Sequence, residues 1–490
     1  MGLMILAMLW FAFSGGQVTA SAPISLTPPP VTTVAKHYTE LDFPPLPEIT
    51  LPDYERYQLG NGMVVYLIQD RELPLISGTA LIRTGSRWEP GDKVGLGEIT
   101  GALMRTGGTK NYSPDELNQL LEQQAAVVET GIGDSSGSAG FDALSEDIES
   151  VFPLFAQVIR EPAFAAEKLQ LAKRQQAGGI ARRNDDPSDI ASREFYKLVY
   201  GATSPYARTV EYATLDNISR EDVVQFYQRY FYPKNMILGI VGDFEIDSMK
   251  QLVEEAFGDW QTPQSAQLPE VPQAAQKYEG NTFFVNQPQL TQSSIVMGHL
   301  GGKFDNPDYP ALSVLNGILN GFGGRLFNEV RSRQGLAYSV YGVWSPRFDY
   351  PGIFIAGGQT RSDATVPLIQ AMMTELDSLK SQQISPEELT YAKESILNSF
   401  VFNFRDPAQT LSRLMRYEYY DYPEDFIFQY QREVKAVTAE DVQRVARKYL
   451  RPEDIITLVV GNEEEIEPAL KSLGKAVETV DISIPSPRSS

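Results

Sequence analysis

The chain has 490 residues, a formal net charge of −21 at pH 7, two histidines and no cysteine. The negative charge argues against a nucleic-acid partner, because the phosphates would be repelled. Without cysteine, the chain can form neither disulfides nor thiolate zinc sites, and it has no cysteine nucleophile. Hydrophobic residues make up 42% of the sequence, which is enough for the core of a large globular protein.

The N-terminus is typical of an exported protein. Residues 4–13 form an apolar run that is too short to span a membrane comfortably, and the small residues at 20–22 suit cleavage by signal peptidase. The basic residues expected before such a run are missing, so an uncleaved N-terminal anchor is the alternative. We predict a signal peptide or anchor over residues 1–22, a proline-rich extended leader over 23–53, and a periplasmic or otherwise extracytoplasmic location.

Two stretches of the chain repeat each other at an offset of 219 residues, Ile218–Asp243 and Val437–Asn462. Each begins with a hydroxyl residue followed three residues later by Asp, which is the pattern of a helix N-cap. Each helix stops before a proline, and a buried strand follows. Upstream, residues 167–187 and 387–407 also match, and both end in Asp-Pro. We interpret the chain as a tandem duplication of one α/β unit of ~210 residues.

Each half begins with strand patterns, of which the hairpin at 57–70 is the clearest, with Asn61-Gly62 at its turn. Strands and helices do not alternate strictly, so a doubly wound sheet is disfavoured. We predict an α+β fold in which each domain packs its helices on one face of a mostly antiparallel sheet. The predicted segments are an N-terminal domain over 54–260, a linker over 261–276, a C-terminal domain over 277–478 and a tail over 479–490.

Four places in the chain resemble the insulinase/pitrilysin family of zinc metallopeptidases, which includes mitochondrial processing peptidase. They are the opening hairpin with Gly85-Ser86 and Glu89, GLGEITGALMRTGGTKNYS at 95–113, PYARTV at 205–210 with the Asp-Pro helix, and GGRLFNEVRSRQGLAYSVYG at 323–342. The last is the most specific. The resemblance extends from residue 54 to about 478 and implies a processing-peptidase-like domain in each half.

Catalytic members of this family carry an HxxEH motif, in which two histidines bind zinc and the glutamate activates the bound water. The resemblance places these three positions at Glu98, Gly101 and Ala102. It places the third zinc ligand, a glutamate on a later helix, at Gly179. All four positions are changed in this chain. The resemblance therefore implies that the zinc site is lost.

No other zinc site is expected from the sequence. His37 lies in the leader, and we interpret His299, in a strand-like run, as a packed histidine. A site built only of carboxylates would be atypical for zinc. We expect no metal or other cofactor in this chain, and we interpret the altered helix as a scaffold. A glycine-lined groove at Gly178-Gly179 that admits a peptide backbone is the alternative.

The second half retains an Arg and a Tyr that correspond, by the resemblance, to active-site residues of the catalytic families. In the catalytic families an Arg and, seven residues later, a Tyr meet the substrate near the attacked carbonyl, and the resemblance places them at Arg331 and Tyr338. A cation and a phenol donor can stabilise the negative charge that develops on a carbonyl oxygen. Taken alone, RLFNEVRSR reads as an amphipathic helix capped by Gly335, and Tyr338 lies on a strand.

Two details of this segment can also be predicted. Glu329 is spaced to pair at i,i+4 with Arg325 and with Arg333. A glycine-rich turn precedes the helix, which is explained either by loop geometry or by close approach of its backbone to a substrate. Its members are Gly317, Gly321, Gly323 and Gly324.

The family includes heterodimers of two similar chains, only one of which carries the zinc motif. The resemblance implies that this chain is the zinc-lacking subunit, which supplies Arg331 and Tyr338 in trans to a homologous HxxEH-bearing partner that holds zinc and hydrolyses peptides. A structural scaffold subunit is one alternative, and a peptide-binding homodimer without hydrolysis is another. A membrane would be contacted only through the N-terminal anchor.

Overall fold

The computed structural model describes residues 51–404 and 406–486. The predicted signal segment, His37 and almost all of the leader lie outside these residues. Within the described ranges, no helix is both long enough and apolar enough to cross a membrane.

The first half folds around a six-stranded sheet whose strands lie in the order β1-β2-β6-β3-β5-β4. Strands β2 and β6 are parallel, and the other neighbours are antiparallel. The strands are β1 (Glu55–Gln58), β2 (Val64–Gln69), β3 (Leu75–Ile82), β4 (Val127–Ile132), β5 (Gly137–Leu144) and β6 (Met236–Gly242). The helices are α1 (Leu96–Thr106), α2 (Pro114–Gln123), α3 (Ile148–Arg160), α4 (Ala166–Arg182), α5 (Pro187–Tyr200), α6 (Tyr212–Asp216), α7 (Arg220–Tyr230) and α8 (Ile246–Phe257).

The second half repeats this order in the sheet β12-β7-β11-β8-β10-β9, where the parallel pair β7 and β11 is equivalent to β2 and β6 of the first sheet. Only the outermost strand differs, because β12 comes from the C-terminus and runs parallel to β7. The strands are β7 (Thr282–Asn286), β8 (Gln292–Leu300), β9 (Ser339–Ser345), β10 (Ile353–Arg361), β11 (Ile456–Gly461) and β12 (Val477–Thr479). The helices are α9 (Tyr309–Leu319), a π-helix (Leu326–Arg333), α10 (Thr365–Ser381), α11 (Pro386–Phe400), α12 (Pro407–Tyr420), α13 (Phe426–Ala436) and α14 (Ala439–Tyr449).

The repeated capping pattern is present in both halves. Ser219 and Thr438 each accept a hydrogen bond from the backbone N–H of the Asp three residues later, whose carboxylate accepts in return from the cap N–H. The strands that follow, β6 and β11, are buried along their whole length. The predicted fold class, two pseudo-symmetric α+β domains, is confirmed; the residue boundaries of domains, linker and tail stay predictions.

The two halves exchange a helix. Helix α5, from the first half, packs on β8 and β11 of the second sheet, where Phe195 and Val199 are fully buried. Reciprocally, α12 packs on β2, β3 and β6 of the first sheet, where Leu414 and Met415 are buried. Each sheet therefore has its own helices on one face, as predicted, and a helix of the other half on the opposite face.

Polar and aromatic contacts join the halves beside the exchanged helices. Arg87 Nη1 donates to Asp349 Oδ2 at 2.7 Å, and the arginine side chain is only 3% exposed. The rings of Tyr206 and Tyr350 stack with centroids 3.9 Å apart. Paired charges and stacked rings at this junction complement the apolar burial of α5 and α12.

Candidate functional site

The helix that corresponds to the zinc helix, α1, is held at its N-terminus by a buried carboxylate. Glu89 accepts hydrogen bonds from the backbone N–H of Gly95 at 3.1 Å and of Gly97 at 2.8 Å, where the positive end of the helix favours negative charge. Burial raises the pKa of Glu89, although the two amide donors oppose the rise. Arg208 donates to the carbonyls of Ser86 and Glu89 at 2.8 and 2.7 Å. Two of the family-like stretches thus meet at this helix end.

The positions that correspond to the zinc-binding histidines, Glu98 and Ala102, lie exposed on one face of α1. The Glu98 carboxylate accepts a hydrogen bond from Gln176 Nε2 at 2.5 Å. Gln176 lies on α4, one turn before Gly179, so this bond bridges the groove between the two helices. An amide and a carboxylate bound to each other occupy the place where ligands would meet a metal.

Gly101, at the position of the catalytic glutamate, is pressed against the backbone of β4. A Cβ atom there would clash with the backbone N of Ile132 and come within 2.7 Å of the carbonyl carbon of Gly131. The carbonyl oxygen of Gly101 also accepts a hydrogen bond from Thr130 Oγ1 at 2.6 Å. The close packing of α1 on β4 therefore requires glycine at position 101, whether or not a catalytic glutamate is needed there.

Gly179, at the position of the third ligand, is exposed, and a Cβ atom there would meet nothing within 4 Å. Residues 51–404 and 406–486 contain no group of three His, Cys, Asp or Glu side chains that could hold a metal ion. The residues present in the groove therefore do not fit zinc. The scaffold interpretation of α1 agrees with its buried face of Leu96, Ile99, Leu103 and Met104.

The Arg–Tyr segment, residues 331–338, begins on the π-helix with Arg331 and ends with Tyr338 immediately before β9. The prediction that Tyr338 itself lies on a strand is therefore wrong by one residue, because ladder pairing with β10 begins at Ser339. The backbone N–H of Gln334 bonds to the carbonyl of Glu329, five residues earlier, and π-helices are rare and frequent at functional sites. The Arg331 guanidinium carbon lies 5.6 Å from the centroid of the Tyr338 ring and 4.9 Å from that of Phe327. Tyr338 is 81% exposed. In the described part of the chain, no carboxylate lies within salt-bridge distance of Arg331.

One of the two predicted ion pairs of this helix is wrong. Arg333 does pair with Glu329, at 2.6 Å. Arg325 instead binds the Glu388 carboxylate of α11 with two hydrogen bonds, at 2.6 and 3.1 Å, because the start of the π-helix lies against α11 and a fork-shaped pair is the stronger contact. This pair connects the start of the π-helix to α11, which is the counterpart of α4 in the second half.

The glycine-rich turn is shorter than predicted. Gly317 lies inside α9, where a Cβ atom would come within 2.9 Å of the Cβ of Ala392 on α11, so it serves helix packing and not the turn. Gly321 has φ +78°, and Gly323 donates its N–H to the Tyr391 hydroxyl at 3.2 Å. Gly324 is buried, whereas Gly321 and Gly323 are exposed. Gly335 has φ +63° just after the helix, as expected of a cap.

Tyr338 lies beside the start of the exchanged helix α5. Its backbone N–H donates to the carbonyl of Gln359 on β10 at 3.3 Å, and the Gln359 side chain donates to Ser188 Oγ at 2.9 Å. Ser188 is the second residue of α5, which follows α4 closely in the chain. The exchange of helices thus brings the end of the altered groove helix and the Arg–Tyr segment to the same side of the molecule.

His299 is packed, as predicted. It is fully buried, its Nδ1 lies 2.9 Å from the carbonyl oxygen of Leu300, and Arg451 donates its backbone N–H to Nε2 at 3.4 Å. Because Nε2 accepts, the proton is on Nδ1. Burial lowers the pKa of His299 to about 4, which keeps the ring neutral at physiological pH.

Sequence reasoning missed two contributors to this site. Gln176 closes the groove, and its spacing of three residues from Gly179 on one helix was the available signal. Phe322 is 81% exposed, and its ring contacts Phe327 edge-on at 5.1 Å, so an aromatic surface adjoins Arg331. An exposed phenylalanine cannot be recognised from spacing alone.

Together, the fold and site define a duplicated two-domain α+β protein in which the groove between α1 and α4 does not fit zinc and Tyr338 is exposed. Two family models match the chain. The one described as Insulinase (Peptidase family M16) matches residues 70–208, and the one described as Peptidase M16 inactive domain matches residues 217–396. These ranges together cover well over half of the sequence, and the chain belongs to the insulinase (M16) peptidase family.

Similar proteins and structures agree with this assignment. YmxG of Bacillus subtilis, named an uncharacterised zinc protease, is 25% identical over 410 residues, which cover 83% of this chain and 98% of the relative. A zinc protease of Rickettsia felis, also named uncharacterised, is 23% identical over 349 residues, or 70% of this chain and 82% of the relative. The crystal structure of a peptidase M16 inactive domain from Pseudomonas fluorescens matches with a TM-score of 0.75 and 25% identity, covering 85% of this chain and 100% of that chain.

The fold is shared more widely than the sequence. The periplasmic protease PqqL from Escherichia coli matches with a TM-score of 0.71 at 16% identity, covering 87% of this chain and 48% of that chain. At this level of identity the likeness concerns the fold alone.

Proposed function

We propose that the chain is the zinc-lacking subunit of a heterodimeric zinc metallopeptidase, and that Arg331 and Tyr338 act at the active site of an HxxEH-bearing partner. One contrast carries the proposal: the groove between α1 and α4 does not fit zinc, whereas Arg331 and Tyr338 are adjacent, and Tyr338 is exposed. Similar chains that are named zinc proteases support peptide hydrolysis as the reaction of the assembled enzyme.

The two side chains have the chemistry that peptide hydrolysis requires. As water adds to the scissile carbonyl, negative charge moves onto the carbonyl oxygen, and preorganised donors stabilise it. The Arg331 guanidinium offers a permanent positive charge with several N–H donors, and the Tyr338 hydroxyl offers one O–H donor. The cation–π contact with Phe327 holds Arg331 in place before the substrate arrives. The metal chemistry would belong to the partner.

The surroundings suit an extended peptide. The exposed backbone of Gly321 and Gly323 would lie against the substrate, and the buried Gly324 would position the start of the π-helix. Phe322 adds an exposed ring for an apolar side chain. We further propose that the chain works outside the cytoplasm, on the basis of the signal-like residues 1–22.

The test is co-expression with an HxxEH-bearing family member from the same genome, followed by zinc analysis and a quenched-peptide assay of the purified pair. Arg331→Ala and Tyr338→Phe are each expected to lower kcat by about 100-fold, because each removes a donor to the developing charge. Zinc content should remain unchanged in both variants.

Arg333→Ala is the matched control. Arg333 lies two residues further along the same helix, with 73% of its side chain exposed, and among residues 51–404 and 406–486 its ion pair is with Glu329. Its removal should leave kcat within about twofold, since exposed ion pairs contribute little. Pair activity that is indifferent to Arg331→Ala and Tyr338→Phe would contradict the in-trans role and leave a scaffold subunit.

A further inference from the structure

A second cleft lies in the C-terminal domain, at the end of β9 that is remote from Tyr338. Its volume is about 800 Å³, within the range of ligand-binding pockets. Its walls are the turn after β9, the first half of α12, the start of α13 and the segment that leads into α9. Among the described residues that line the cleft, three are arginines and none is an aspartate or glutamate.

The three arginines that line the cleft come from two segments of the chain. Arg413 and Arg416 are three residues apart on α12, so they share one face of that helix, and Arg347 comes from the turn after β9. Over the described ranges 51–404 and 406–486, no carboxylate oxygen lies within 4.0 Å of any of these guanidinium groups. Arg413 donates from Nη2 to Asn403 Oδ1 at 2.8 Å, while its Nε is buried and bonds to no described residue.

Such a cluster is unexpected in this chain. The sequence has 63 acidic and 42 basic residues, so carboxylates to pair with arginines are abundant. Like charges held together repel, and the repulsion grows where burial lowers the local dielectric. Arg347 and Arg416 also line an adjoining cleft that contains Asp134 and Asp349, but among the described residues none of the three guanidinium groups has a carboxylate at salt-bridge distance. The excess of positive charge in the cleft therefore indicates an anion that comes from outside the fold.

The remaining walls are aromatic and rigid. The rings of Phe304 and Phe348 lie 4.6 Å apart, and Tyr309 stacks on Tyr430 at 5.2 Å. Tyr417 meets Phe426 edge-on at 5.5 Å. Rings that are fixed by one another present apolar surface without an ordering cost when a ligand binds.

We propose that this cleft binds an acidic peptide segment, in which carboxylates stand next to aromatic or aliphatic side chains. Guanidinium groups bind carboxylates through paired, parallel hydrogen bonds, and the aromatic walls take the apolar neighbours. The aromatic walls favour a peptide over inorganic phosphate, because phosphate has no apolar part to place against them.

The cleft is separate from the Arg–Tyr segment. Strand β9, of seven residues, runs between Tyr338 and the turn that carries Arg347, and at about 3.3 Å per residue this strand alone separates them by roughly 20 Å. The inference therefore does not rest on the proposed function, and binding can be measured with the purified full chain alone.

The test is isothermal titration of the full chain with three capped tetrapeptides: Ac-Phe-Glu-Phe-Glu-amide, its glutamine analogue as the amide, and the glutamine analogue with a free C-terminal carboxylate. We expect the glutamate peptide to bind at least about tenfold more tightly than the glutamine amide, because only it can form charge-assisted pairs. Binding of the free acid would identify a peptide C-terminus, and binding of the glutamate amide would identify side-chain carboxylates, as the source of the anion.

Variants connect binding to the cleft. Arg413→Gln and Arg416→Gln should each weaken binding of the acidic probe about tenfold, consistent with loss of one charge-assisted contact. Arg432→Gln is the matched control: it removes the same charge from neighbouring α13, where Arg432 pairs with Asp425 at 3.3 Å and its side chain is 63% exposed. Far-UV circular dichroism and thermal melts check that the variants fold.

Either of two results would overturn the inference. Equal affinity for all three peptides would show that the arginines bind no carboxylate, and affinity unchanged in both cleft variants would place binding elsewhere. Inorganic pyrophosphate that binds more tightly than the peptides, with the same dependence on Arg413 and Arg416, would replace the acidic peptide by a phosphate ligand.

Discussion

The two domains use the same scaffold and differ in what they place between two equivalent elements. In the first domain, the segment between α1 and β4 contains α2, a regular helix with a capping box at Ser113 and Glu116 and a buried face. In the second, the segment between α9 and β9 contains the π-helix that presents Arg331. The first segment is a capped helix packed on the core, whereas the second exposes the rings of Phe322 and Tyr338.

The helices that precede these two segments, α1 and α9, each contain a glycine at a close contact. In α1, Gly101 lets the helix approach β4, and Glu98 is engaged by Gln176. In α9, Gly317 lets the helix approach α11. The duplicated fold thus keeps a close helix contact at a glycine in both copies. Four experiments test this comparison of the two domains.

The largest effect is expected from separating the domains. Residues 54–260 or 277–478 expressed alone should not fold, because each sheet would lose the helix of the other half and expose an apolar face. Co-expression of both fragments should restore a soluble complex. The measurement is solubility and circular dichroism of each fragment with and without the other. A stable, cooperatively melting single fragment would show that the exchanged helix is dispensable.

A smaller effect is expected from rebuilding the metal groove. Gly101→Ala should lower the free energy of unfolding by about 2 kcal/mol, because the new Cβ atom overpacks against β4, and Gly101→Glu should cost more. Gly179→Ala is the matched control: it has open space around it and should stabilise the chain by about 0.5–1 kcal/mol through helix propensity. Denaturant unfolding measures both.

A third experiment restores all four zinc-motif residues and measures zinc binding. A variant with Glu98→His, Gly101→Glu, Ala102→His and Gly179→Glu should fail to hold one zinc per chain after dialysis, because β4 prevents the helix from presenting the ligands. Stoichiometric zinc in a folded variant would mean that only the ligands, and not the packing, had been lost.

The smallest effect concerns a charge cluster in the second domain. Burial alone would raise the pKa of Asp308, but hydrogen bonds from Lys448, Arg444 and Tyr449 outweigh it and lower the pKa to about 2. The carboxylate therefore stabilises the fold above about pH 4, and this contribution disappears as the pH falls through about 2.

Asp308→Asn should accordingly lower the free energy of unfolding at pH 7 by only about 1 kcal/mol, because the two cations are about half exposed and solvent screens them. The difference from the unmodified chain should shrink between pH 4 and 2. Asp377→Asn is the control: Asp377 is 59% exposed and lies 3.5 Å from Lys380, and its substitution should lower the free energy of unfolding at pH 7 by about 0.5 kcal/mol or less. An Asp308→Asn difference that does not vary with pH would exclude the linkage.

Much of the candidate site could be predicted from the sequence, and the reasons are local. Matching caps at Ser219 and Thr438 mark helix starts, and the apolar runs of β6 and β11 mark buried strands. The changes at Glu98, Gly101, Ala102 and Gly179 are visible by alignment to a motif. The partner of Arg325 was predicted wrongly because Glu388 is 63 residues away, and spacing along one helix says nothing about a second helix packed beside it.

The sequence by itself determined the duplication, the capped helices, the two α+β domains and the absence of zinc ligands at the motif positions, because each depends on short-range hydrogen bonding, periodicity or residue type. Only the tertiary structure decided that α5 and α12 are exchanged between the sheets, that Gly101 is held by β4, and that the arginines of α12 meet Arg347 in one cleft. These features arise where segments far apart in the chain come into contact. Their physical basis is mutual burial and packing, which depend on two or more segments and cannot be inferred from any one of them.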